Sequence, residues 1–470
     1  MEIVLPSLGQ AWYILEWVIR FAMLAIVPFR RTPAATSSWL LLIFFLPVPG
    51  LLLFLAIGTP RFPRWRVDRF RKLRPFIDGI ADRLRHAAPA HGGAPSPVAA
   101  LSERLGHLPA TGGNEVELID NYDAVIDRLV ADIDAARRHV RILAYIFADD
   151  AIGLKVVSAL QRAVARGVAC HVLVDPVGSH KWVKGTLRHL EDAGVEVRAV
   201  LPLRLLRART RRDMRNHRKL FIIDGEAGYA GSQNIVARDF RPGIVNRELV
   251  ARVRGPAVAA MTAIFLTDWY LETRNLLDEA PEIPASAGAS IAQVLPSGAD
   301  YPVEGFQTLL TWQVDQATGE VIIVTPYLIP DEGLLAALRT AVLRGVDVRI
   351  VVSAVIDQKL VRYAQESYYH DLLIAGVRIH RYPDFLLHAK NVRIDQALAI
   401  VGSSNIDIRS FQLNEEVSLL LFDSHSIDAL KTIQDGYLAA GDEVRLDDWK
   451  RRGRFRRLAE NGARLVSPLL

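Results

Sequence analysis

Beyond residue 110, apolar runs of strand length alternate with stretches of helical periodicity, and the whole series occurs twice. The first series predicts strand 140–147, helix 151–167, strand 168–175, a helix ending near 194 and strand 195–201. The second predicts strand 320–329, helix 332–345, strand 346–353, a helix through 371–376 and strand 377–382. Such alternation is typical of α/β layers with parallel strands. We therefore predict a duplicated α/β architecture with two mixed sheets flanked by helices.

The first 60 residues carry a different apolar pattern, with the length of membrane segments. Residues 39–58 (WLLLIFFLPVPGLLLFLAIG) form a stretch of twenty residues without a charge. This is the length that a helix needs to cross the hydrocarbon core of a bilayer. Pro47, Pro49 and Gly50 interrupt the stretch, so a kinked or re-entrant segment is the alternative to a straight span.

An earlier apolar stretch, residues 11–28, contains Glu16 and Arg20. The two lie one helical turn apart and could pair, which leaves open whether this stretch spans the membrane or lies in its interface. No basic residue precedes it and no small-residue cleavage site follows it, so we do not expect a cleaved signal peptide.

Composition and charge narrow the class of partner. Of the 470 residues, 50% are hydrophobic and the mean hydropathy is +0.16, a high value for a purely soluble enzyme. The net charge is +5, with basic runs at 61–74, 204–219 and 450–457. One such run is an ordinary solvated face, but three favour a polyanionic partner, either nucleic acid or anionic lipid. The single cysteine, Cys170, excludes an internal disulfide and fits a reducing compartment.

The basic run at 61–74 directly follows the apolar region. By the positive-inside tendency it places the rest of the chain in the cytoplasm. Arg30 and Arg31, in the preceding loop, argue the other way but are fewer. The predicted organisation is a membrane region of one or two hydrophobic helices at 1–60, a basic juxtamembrane segment and linker at 61–110, a first domain at 111–285 and a second at 286–470.

One octet occurs in each half: HRKLFIID at 217–224 and HAKNVRID at 388–395. Chance would supply on the order of a hundredth of such a match in a chain of this length, so two in corresponding places indicate a shared function. Because side chains alternate along a strand, the His and Lys of each octet share a face. The candidate residues are His217, Lys219 and Asp224 in the first octet and His388, Lys390 and Asp395 in the second.

Each octet is followed at matching distance by a small polar turn and then by an N-x-E segment. The turns are GSQN at 231–234 and GSSN at 402–405, and the N-x-E segments are 246–248 and 414–416. These segments add Ser232, Asn234, Glu248, Ser403, Asn405 and Glu416 to the candidate site.

Paired His, Lys and Asn side chains fit phosphoryl chemistry that needs no metal. Lys ammonium groups and Asn amides can hold the oxygens of a tetrahedral phosphoryl centre. One imidazole can attack phosphorus while the other protonates the leaving alcohol and later deprotonates the incoming one. Glu248 and Glu416 could orient the ring nitrogens. The sequence has no usual metal-ligand spacing, Walker loop or dinucleotide fingerprint, so we expect neither a metal nor a cofactor.

The duplicated H-x-K-x4-D motif with G-S-x-N resembles the phospholipase D superfamily over residues 114–423. The segments TPYLIPDE, VGSSNIDIRSFQLNEEV and GPAVAAMTAIFLTDWYLET, the hydrophobic N-terminal region and the ending RLVSPLL resemble bacterial cardiolipin synthases over nearly the full length. The resemblance implies two tandem phospholipase-D-like α/β domains that share one active site. It also implies transfer of a phosphatidyl group from one phosphatidylglycerol to a hydroxyl of another, through a phosphohistidine, with release of glycerol.

The resemblance also implies roles for individual residues. His217 is expected to be the nucleophile and His388 the general acid and base, although the symmetry of the motifs leaves the exchange of these roles open. Asp224 and Asp395 are expected to form structural ion pairs rather than to take protons. The remaining expectation is that phosphate is bound by Lys219, Lys390, Asn234 and Asn405 and that the histidines are supported by Ser232, Ser403, Glu248 and Glu416.

The chain departs from the family pattern in its first half. It has NRELV where many relatives have an acidic residue after a WRD-like stretch. The gap from His217 to Glu248 is also three residues longer than the gap from His388 to Glu416, so a role is clearer for Glu416. We expect the Arg-dense segment 204–219 to form a headgroup-binding rim, with a solvated loop as the alternative.

The expected partners are anionic phospholipids, namely phosphatidylglycerol and cardiolipin, at the cytoplasmic (inner) membrane, with the catalytic domains facing the cytoplasm. We expect no nucleic acid partner. A duplicated site lets a monomer work, while a homodimer through the membrane region stays open. The alternatives are a lipid hydrolase with water as the acceptor, a phosphodiester nuclease and a non-enzymatic membrane scaffold, which leaves both octets unexplained.

Overall fold

The computed structural model describes residues 7–58, 62–89, 96–202, 213–301 and 303–467. Five helices precede the first strand within these ranges. They are α1 (Leu8–Ile26), α2 (Pro33–Phe45), α3 (Pro47–Ile57), α4 (Arg64–Ala87) and α5 (Pro97–Gly106), with a 3-10 turn at Val27–Phe29 after α1.

The first repeat then runs through β1 (Thr111–Ile119), α6 (Tyr122–Ala135), β2 (His139–Ala144), α7 (Ala151–Ala165), β3 (Ala169–Val174), α8 (Val183–Asp192), β4 (Glu196–Ala199), β5 (Leu220–Ile223), β6 (Ala227–Gly231), β7 (Asn246–Arg247), β8 (Val250–Arg254) and α9 (Ala257–Thr273). The second repeat runs through β9 (Ser290–Ser297), α10 (Gly305–Gln316), β10 (Glu320–Val324), α11 (Glu332–Leu343), β11 (Asp347–Ser353), α12 (Lys359–Ala375), β12 (Arg378–Tyr382), β13 (Leu386–Leu387), β14 (Asn391–Ile394), β15 (Leu398–Gly402), α13 (Ile408–Gln412), β16 (Glu416–Leu421) and α14 (Ser424–Ala440). It ends with β17 (Asp442–Glu443), α15 (Leu446–Lys450) and α16 (Arg454–Val466).

The two repeats join edge to edge in one sheet. Among the described residues its order is β17-β12-β11-β10-β14-β15-β16-β9-β1-β8-β6-β5-β2-β3-β4. The order reads the same outward from the β9–β1 junction as far as β12 and β4, so each of these strands has a counterpart in the other repeat, and β17 is an added edge strand of the second repeat. The predicted duplication of a mixed α/β unit is therefore confirmed, and the two predicted sheets are halves of a continuous one.

The prediction of parallel strands holds for only part of each half. β2, β3 and β4 are parallel, as are β10, β11 and β12. The octet strands β5 and β14 instead pair antiparallel with their neighbours on both sides. The physical reason is the connection. Helices α7 and α11 carry the chain back to start a parallel strand, whereas the short turns after β5 and β14 reverse it and so pair these strands antiparallel with β6 and β15.

Helix boundaries in the two repeats follow the same local chemistry. Asp150 begins α7 by accepting hydrogen bonds from the amides of Ile152 and Gly153, and Asp331 begins α11 in the same way. Both helices end shortly before a glycine with a positive φ, 87° at Gly167 and 91° at Gly345. A side-chain oxygen at the start and glycine after the end are the usual helix signals, which is why the sequence located both helices closely.

The junction between repeats is covered by one shared core. Helix α9 is mostly apolar and is buried along almost its whole length. It belongs to a continuous apolar cluster that includes residues of β5, β6 and β8 from the first repeat and of β15, β16 and α14 from the second. The repeats are thus packed against each other through this core. The division into a first domain ending at residue 285 and a second beginning at 286 stays a prediction.

In the apolar N-terminal region, the stretch that is long enough to span a membrane is helix α1 and not residues 39–58 as predicted. Helix α1 is continuous and, extended to residue 29, is the one candidate span among the described residues. Glu16 and Arg20 pair within it at 3.3 Å, as expected from their spacing. Residues 39–58 do not form one helix, because the chain breaks at Leu46, directly before Pro47. Proline disfavours helical backbone in the residue before it, which explains the break.

Helices α2 and α3 fold back on one another after this break. The rings of Trp39 and Phe54 meet edge to face, with centroids 5.2 Å apart. Gly50 permits the close approach, since a Cβ there would lie 2.9 Å from the Cα of Ile43. The predicted alternative of an interrupted segment is the arrangement observed.

Candidate active site

The histidines of the two octets lie on one cavity of about 440 Å³. The cavity forms where the two repeats meet, and His217 and His388 both line it. Each histidine precedes its octet strand rather than lying within it, because β5 begins at Leu220 and β14 at Asn391. The octets are therefore brought together as halves of a single site.

Backbone pairing between the repeats places these histidines. Next to the first octet, Asn216 bridges Glu415 of the second repeat in parallel register, and the amide of His217 donates to the carbonyl of Glu415 at 2.8 Å. Next to the second, β13 pairs in parallel with β7, and the amide of His388 donates to the carbonyl of Arg247 at 2.8 Å. Each histidine is thus fixed to the residue that precedes the glutamate of the opposite repeat.

The glutamates consequently reach across the junction. His217 Nδ1 lies 3.0 and 3.1 Å from the carboxylate oxygens of Glu416. His388 Nδ1 lies 2.8 and 2.9 Å from those of Glu248. All four side chains are buried. Because Nδ1 of each ring faces a carboxylate, Nε2 is the ring nitrogen left for chemistry.

Electrostatics keep the glutamates ionised and the histidines neutral. Burial acts to raise the pKa of each glutamate, but the attraction of its histidine and of nearby lysine outweighs it, so the pKa values of Glu416 and Glu248 lie below their ordinary value. Burial lowers the pKa of His217, and it lowers that of His388 to about 4. A neutral imidazole is the form that can attack phosphorus.

The two lysines lie behind the histidines in matching positions. Lys219 Nζ donates to the carbonyl of His217 at 2.6 Å, and Lys390 Nζ donates to the carbonyl of His388 at 2.6 Å. Burial lowers the pKa of Lys219 to about 7 and that of Lys390 to about 8. A bound phosphodiester would favour the charged form of both groups.

The G-S-x-N turns pack against the segments that carry Glu248 and Glu416. A Cβ on Gly231 would lie 2.4 Å from the carbonyl oxygen of Leu249, and one on Gly402 would lie 2.5 Å from that of Val417. Glycine is required here because the two backbones touch. The hydroxyls of Ser232 and Ser403 accept hydrogen bonds from the amides of the same two residues at 3.0 Å. Ser403 also donates to the carboxylate of Glu416.

The amides of the cavity are of two kinds. Asn234 Oδ1 accepts a hydrogen bond from the amide of Ile146 at 3.0 Å. Asn405, Asn246 and Asn414 line the cavity with a buried Oδ1 that has no protein partner among the described residues. Buried polar groups are usually satisfied, so these three amides are suited to contact a polar ligand. Asn405 was predicted from the sequence. Asn246 and Asn414 were not, because only the glutamates of their N-x-E segments, Glu248 and Glu416, were taken as candidate residues.

The expectation that Asp224 and Asp395 form structural ion pairs is wrong. Among the described residues, Asp224 accepts hydrogen bonds from the backbone amides of residues 137–139 at 2.8–2.9 Å. Asp395 accepts from the amides of residues 318–320 at 2.8–2.9 Å. Both carboxylates end the octet strands on the side away from the histidines and fasten the start of β2 or β10. They serve the sheet and do not reach the cavity lining.

The sequence analysis also missed tyrosine and arginine side chains that line the cavity. Tyr145 follows β2 and packs edge-on against His217, with ring centroids 4.7 Å apart. Tyr327, Arg241 and Arg409 also line the cavity. Tyr145 follows β2 directly and Tyr327 comes three residues after the end of β10, so the rule that sites lie beyond the carboxyl ends of strands could have identified them.

A buried ion-pair network supports the first octet. Arg218 pairs with Asp268 at 2.8 Å and with Glu415 at 2.7 Å. Glu415 also accepts the backbone amide of Asp300 at 2.9 Å, and the carboxylate of Asp300 pairs with Arg66 of the juxtamembrane helix α4 at 2.9 Å. The corresponding position of the second octet is an alanine, so only the His217 side is joined to α4 in this way.

The predicted headgroup rim at 204–219 lies mostly outside the described residues, since nothing is placed for 203–212. In the part that is described, Arg215 is buried and pairs with Asp175 at 2.8 Å. Within the described ranges, no group of three or more His, Cys, Asp or Glu side chains is arranged to hold a metal ion.

Comparison with known proteins identifies the family of the chain. The family model described as cardiolipin synthase, PLD-like domain, matches residues 129–269 and 310–435. The chain is 33% identical to cardiolipin synthase A of Serratia proteamaculans, over 94% of both chains. It is also 33% identical to cardiolipin synthase A of Pectobacterium atrosepticum, over 97% of this chain and 99% of the relative.

A solved structure shares the fold. The phosphatidylserine synthase of Haemophilus influenzae superposes with a TM-score of 0.61 at 14% identity, covering 80% of this chain and all of that one. The identity is low, so this match speaks for the fold alone. The family match and the two relatives decide the identification: the chain belongs to the cardiolipin synthase family with phospholipase D-like domains.

Proposed function

We propose that the protein is a cardiolipin synthase that transfers a phosphatidyl group between two molecules of phosphatidylglycerol, giving cardiolipin and glycerol. The observation that carries the proposal is the pair of histidines on one cavity, each held through Nδ1 by a carboxylate of the opposite repeat. This arrangement suits a reaction with two mirror-image steps at one phosphorus. Family membership supplies the substrate class.

In the first step, Nε2 of His217 attacks the phosphorus of the first phosphatidylglycerol. The bond from phosphorus to the glycerol headgroup breaks, and His388 gives a proton to the departing oxygen. The negative charges of the bound phosphodiester and of Glu248 favour the protonated form of this ring and oppose the effect of burial on its pKa. The phosphatidyl group is then bound covalently to His217. Glu416 stabilises the charge that develops on the attacking ring, as the acidic member of a catalytic triad does.

In the second step, His388 removes a proton from a glycerol hydroxyl of the second phosphatidylglycerol. That oxygen attacks phosphorus, the bond to Nε2 of His217 breaks, and cardiolipin leaves. Atoms and charge balance over the two steps, and His388 ends in the protonated form in which it began. Exchange of the two histidine roles is the alternative that the symmetry of the site allows.

The remaining polar groups suit the negative charge and the headgroup. Lys219 and Lys390, from opposite repeats, stabilise the phosphoryl oxygens in a desolvated site, where such interactions are strong. The buried amides of Asn246, Asn405 and Asn414 contact headgroup hydroxyls or phosphoryl oxygens. These roles, like those of the histidines, are part of the proposal.

Helix α1 is long and apolar enough to span a membrane, and the relatives are cardiolipin synthases, so the protein is membrane-associated. We further propose the cytoplasmic (inner) membrane, with the repeats on the cytoplasmic side and phosphatidylglycerol and cardiolipin as the lipid partners. The basic helix α4, which follows the apolar region, supports this orientation.

The test is a product assay. Purified protein is incubated with phosphatidylglycerol vesicles, and lipids and glycerol are quantified by mass spectrometry for the wild type, His217→Ala and His388→Ala. We expect cardiolipin and glycerol in equal amounts from the wild type and neither from the variants. Phosphatidic acid alone would indicate a hydrolase, and full activity of both variants would refute the site.

A further inference from the structure

A second cavity, of about 840 Å³, lies between the apolar N-terminal region and the catalytic body. One wall is helix α2, which contributes Ala35, Ser37 and Leu41. The opposite wall is the end of α16, including Leu465. Tyr368 of α12 also lines it. We refer to this cavity as the α2–α16 groove.

The groove adjoins the active-site cavity. Ile408 and Ser467 line both of them. Ser467 is held there by contacts of its hydroxyl with Tyr368 Oη at 3.3 Å and with the carbonyl of Arg464 at 2.8 Å. A molecule bound at the histidines can therefore extend past these two residues into the groove.

The other end of the groove reaches lipid-compatible surface. Leu41 is 43% exposed on α2, and Leu465 is 59% exposed on α16. The hydroxyl of Ser38 donates to the carbonyl of Leu465 at 2.8 Å, which fixes the two helices beside one another. Helix α2 belongs to the apolar region that packs with the candidate span α1. The mouth of the groove thus opens beside the membrane-embedded part of the chain.

Helix α16 has the features of a helix that lies on a membrane surface. Phe455, Leu458 and Leu465 are exposed and share one side of the helix by their spacing. Arg454 and Arg457 are close to this side. An apolar stripe bordered by basic residues is typical of helices that insert into the headgroup region. The α16 side of the groove mouth is therefore expected at the depth where acyl chains begin.

The arginine of the groove and one of its aspartates are already partnered. Arg464 pairs with Asp371 at 2.8 Å and lies over the ring of Tyr368 at 4.7 Å. Asp331 accepts the amides of Gly333 and Leu334 at the start of α11. Besides the Oε1 of Gln307, which is buried without a protein partner among the described residues, the groove offers its ligand the apolar side chains of Ala35, Leu41 and Leu465, so an apolar ligand fits better than a charged one.

We propose that the α2–α16 groove binds an acyl chain of the phospholipid whose phosphate lies between His217 and His388. The inference rests on the proposed function, because it takes a phosphatidyl group as the reacting species. The lipid would then reach the histidines without leaving the bilayer, with its headgroup in the cavity and one chain in the groove. Binding far from the reacting centre can be used to accelerate the reaction, so occupancy of the groove should affect turnover.

The first experiment fills the groove. Ser37 is a small exposed residue in its wall, and Ser37→Trp narrows it. The control is Leu52→Trp, at an exposed position of α3 that does not line the groove. For both variants, kcat/KM is measured with long-chain phosphatidylglycerol and with the dihexanoyl form in mixed micelles. We expect Ser37→Trp to lower the long-to-short ratio about tenfold and Leu52→Trp to leave it within about twofold.

The second experiment needs no turnover. Phosphatidylglycerol with a diazirine at the end of one acyl chain is photolysed with full-length His217→Ala protein in nanodiscs, and labelled peptides are mapped. We expect labelling at Leu41, Tyr368 and Leu465 that unlabelled phosphatidylglycerol competes away and that the added Ser37→Trp substitution removes. Labelling confined to α1, or labelling that Ser37→Trp does not change, would overturn the groove proposal.

The two proposals can fail separately. If neither lipid yields cardiolipin, the proposed function fails and photolabelling alone decides the groove. If cardiolipin forms from both lipids with an unchanged ratio in Ser37→Trp, and no groove residue is labelled, the groove proposal fails while the proposed function stands.

Discussion

Glu416 accepts a hydrogen bond from Nδ1 of His217 at 3.0 Å, although the two residues are 199 positions apart in the sequence. Its counterpart, the contact between Glu248 and His388, spans 140 positions. Neither repeat has a complete His–Glu pair of its own. The junction between repeats therefore belongs to the catalytic apparatus, and the repeats cannot work as two independent sites.

Because each histidine depends on the glutamate of the opposite repeat, neutralising either glutamate should impair the reaction. Glu416→Gln and Glu248→Gln should each lower kcat for cardiolipin synthesis by about 10²- to 10⁴-fold, since loss of the acidic partner of a catalytic histidine has effects of this size. The measurement is steady-state turnover with phosphatidylglycerol in mixed micelles. The control is Glu226→Gln, an exposed residue of a surface ion pair, which should keep wild-type turnover. Equal activity of all three variants would exclude the crossed pairs from catalysis.

Lysine titration predicts an alkaline loss of activity. The pKa values of Lys219 and Lys390 are lowered by burial to about 7 and about 8. Their positive charge is present below these values and is lost as the pH rises through them. kcat/KM reports the free enzyme, so with both charges required it should fall by roughly tenfold per unit of pH between the two values and by up to about a hundredfold per unit above the higher one.

The check is a profile of kcat/KM from pH 6 to pH 10. Lys390→Arg should retain its charge throughout this range and show a weaker decline at alkaline pH, whatever its absolute activity. A flat wild-type profile would mean that the lysine charges do not contribute to binding of the anionic lipid.

Asp224 and Asp395 should matter for stability rather than chemistry. Each accepts backbone amides that fasten a neighbouring strand. Asp224→Asn and Asp395→Asn should each lower the free energy of unfolding by about 1–3 kcal/mol, because three backbone amides lose an ionised acceptor. Chemical denaturation in detergent measures this loss. Activity per folded molecule should stay near that of the wild type, and a thousandfold fall in kcat with normal stability would assign them a catalytic role.

Arg66 should couple the juxtamembrane helix to the fold. It is fully buried and pairs with Asp300 and Glu272. Arg66→Met leaves these carboxylates without their partner, and breaking a buried pair in this way costs about 3–5 kcal/mol. Arg71→Met, which removes a surface pair on the same helix with Asp68, should cost at most about 1 kcal/mol. Equal losses in denaturant unfolding would contradict the network.

The sequence was most informative where chemistry is local. The octets and the G-S-x-N turns have fixed spacing, and the Asp and Gly residues that bound α7 and α11 are standard helix signals, so these features could be predicted from nearby residues. The duplication then indicated that two half-sites combine. Helix α1 could be recognised as apolar, but only the structure distinguished it from the broken segment at 39–58.

What could not be predicted depends on contacts between distant segments. The crossing of Glu248 and Glu416 arises from the β7–β13 pairing and its counterpart at Asn216, which no sequence pattern marks. The carboxylates of the octets were misassigned because an Asp that accepts backbone amides has the same sequence signature as one in an ion pair. Asp300 and Glu272, the ion-pair partners of Arg66, likewise lie more than 200 residues away in the sequence.

The most direct test of the central claim uses a phosphatidyl substrate with 4-nitrophenol in place of the glycerol headgroup. This leaving group needs no general acid, so formation of the covalent intermediate depends only on the nucleophile and its glutamate. We predict that His388→Ala and Glu248→Gln release one equivalent of nitrophenol in a burst, while His217→Ala and Glu416→Gln release none. The opposite pattern would exchange the two histidine roles. A burst from His217→Ala together with Glu248→Gln would contradict the crossed site.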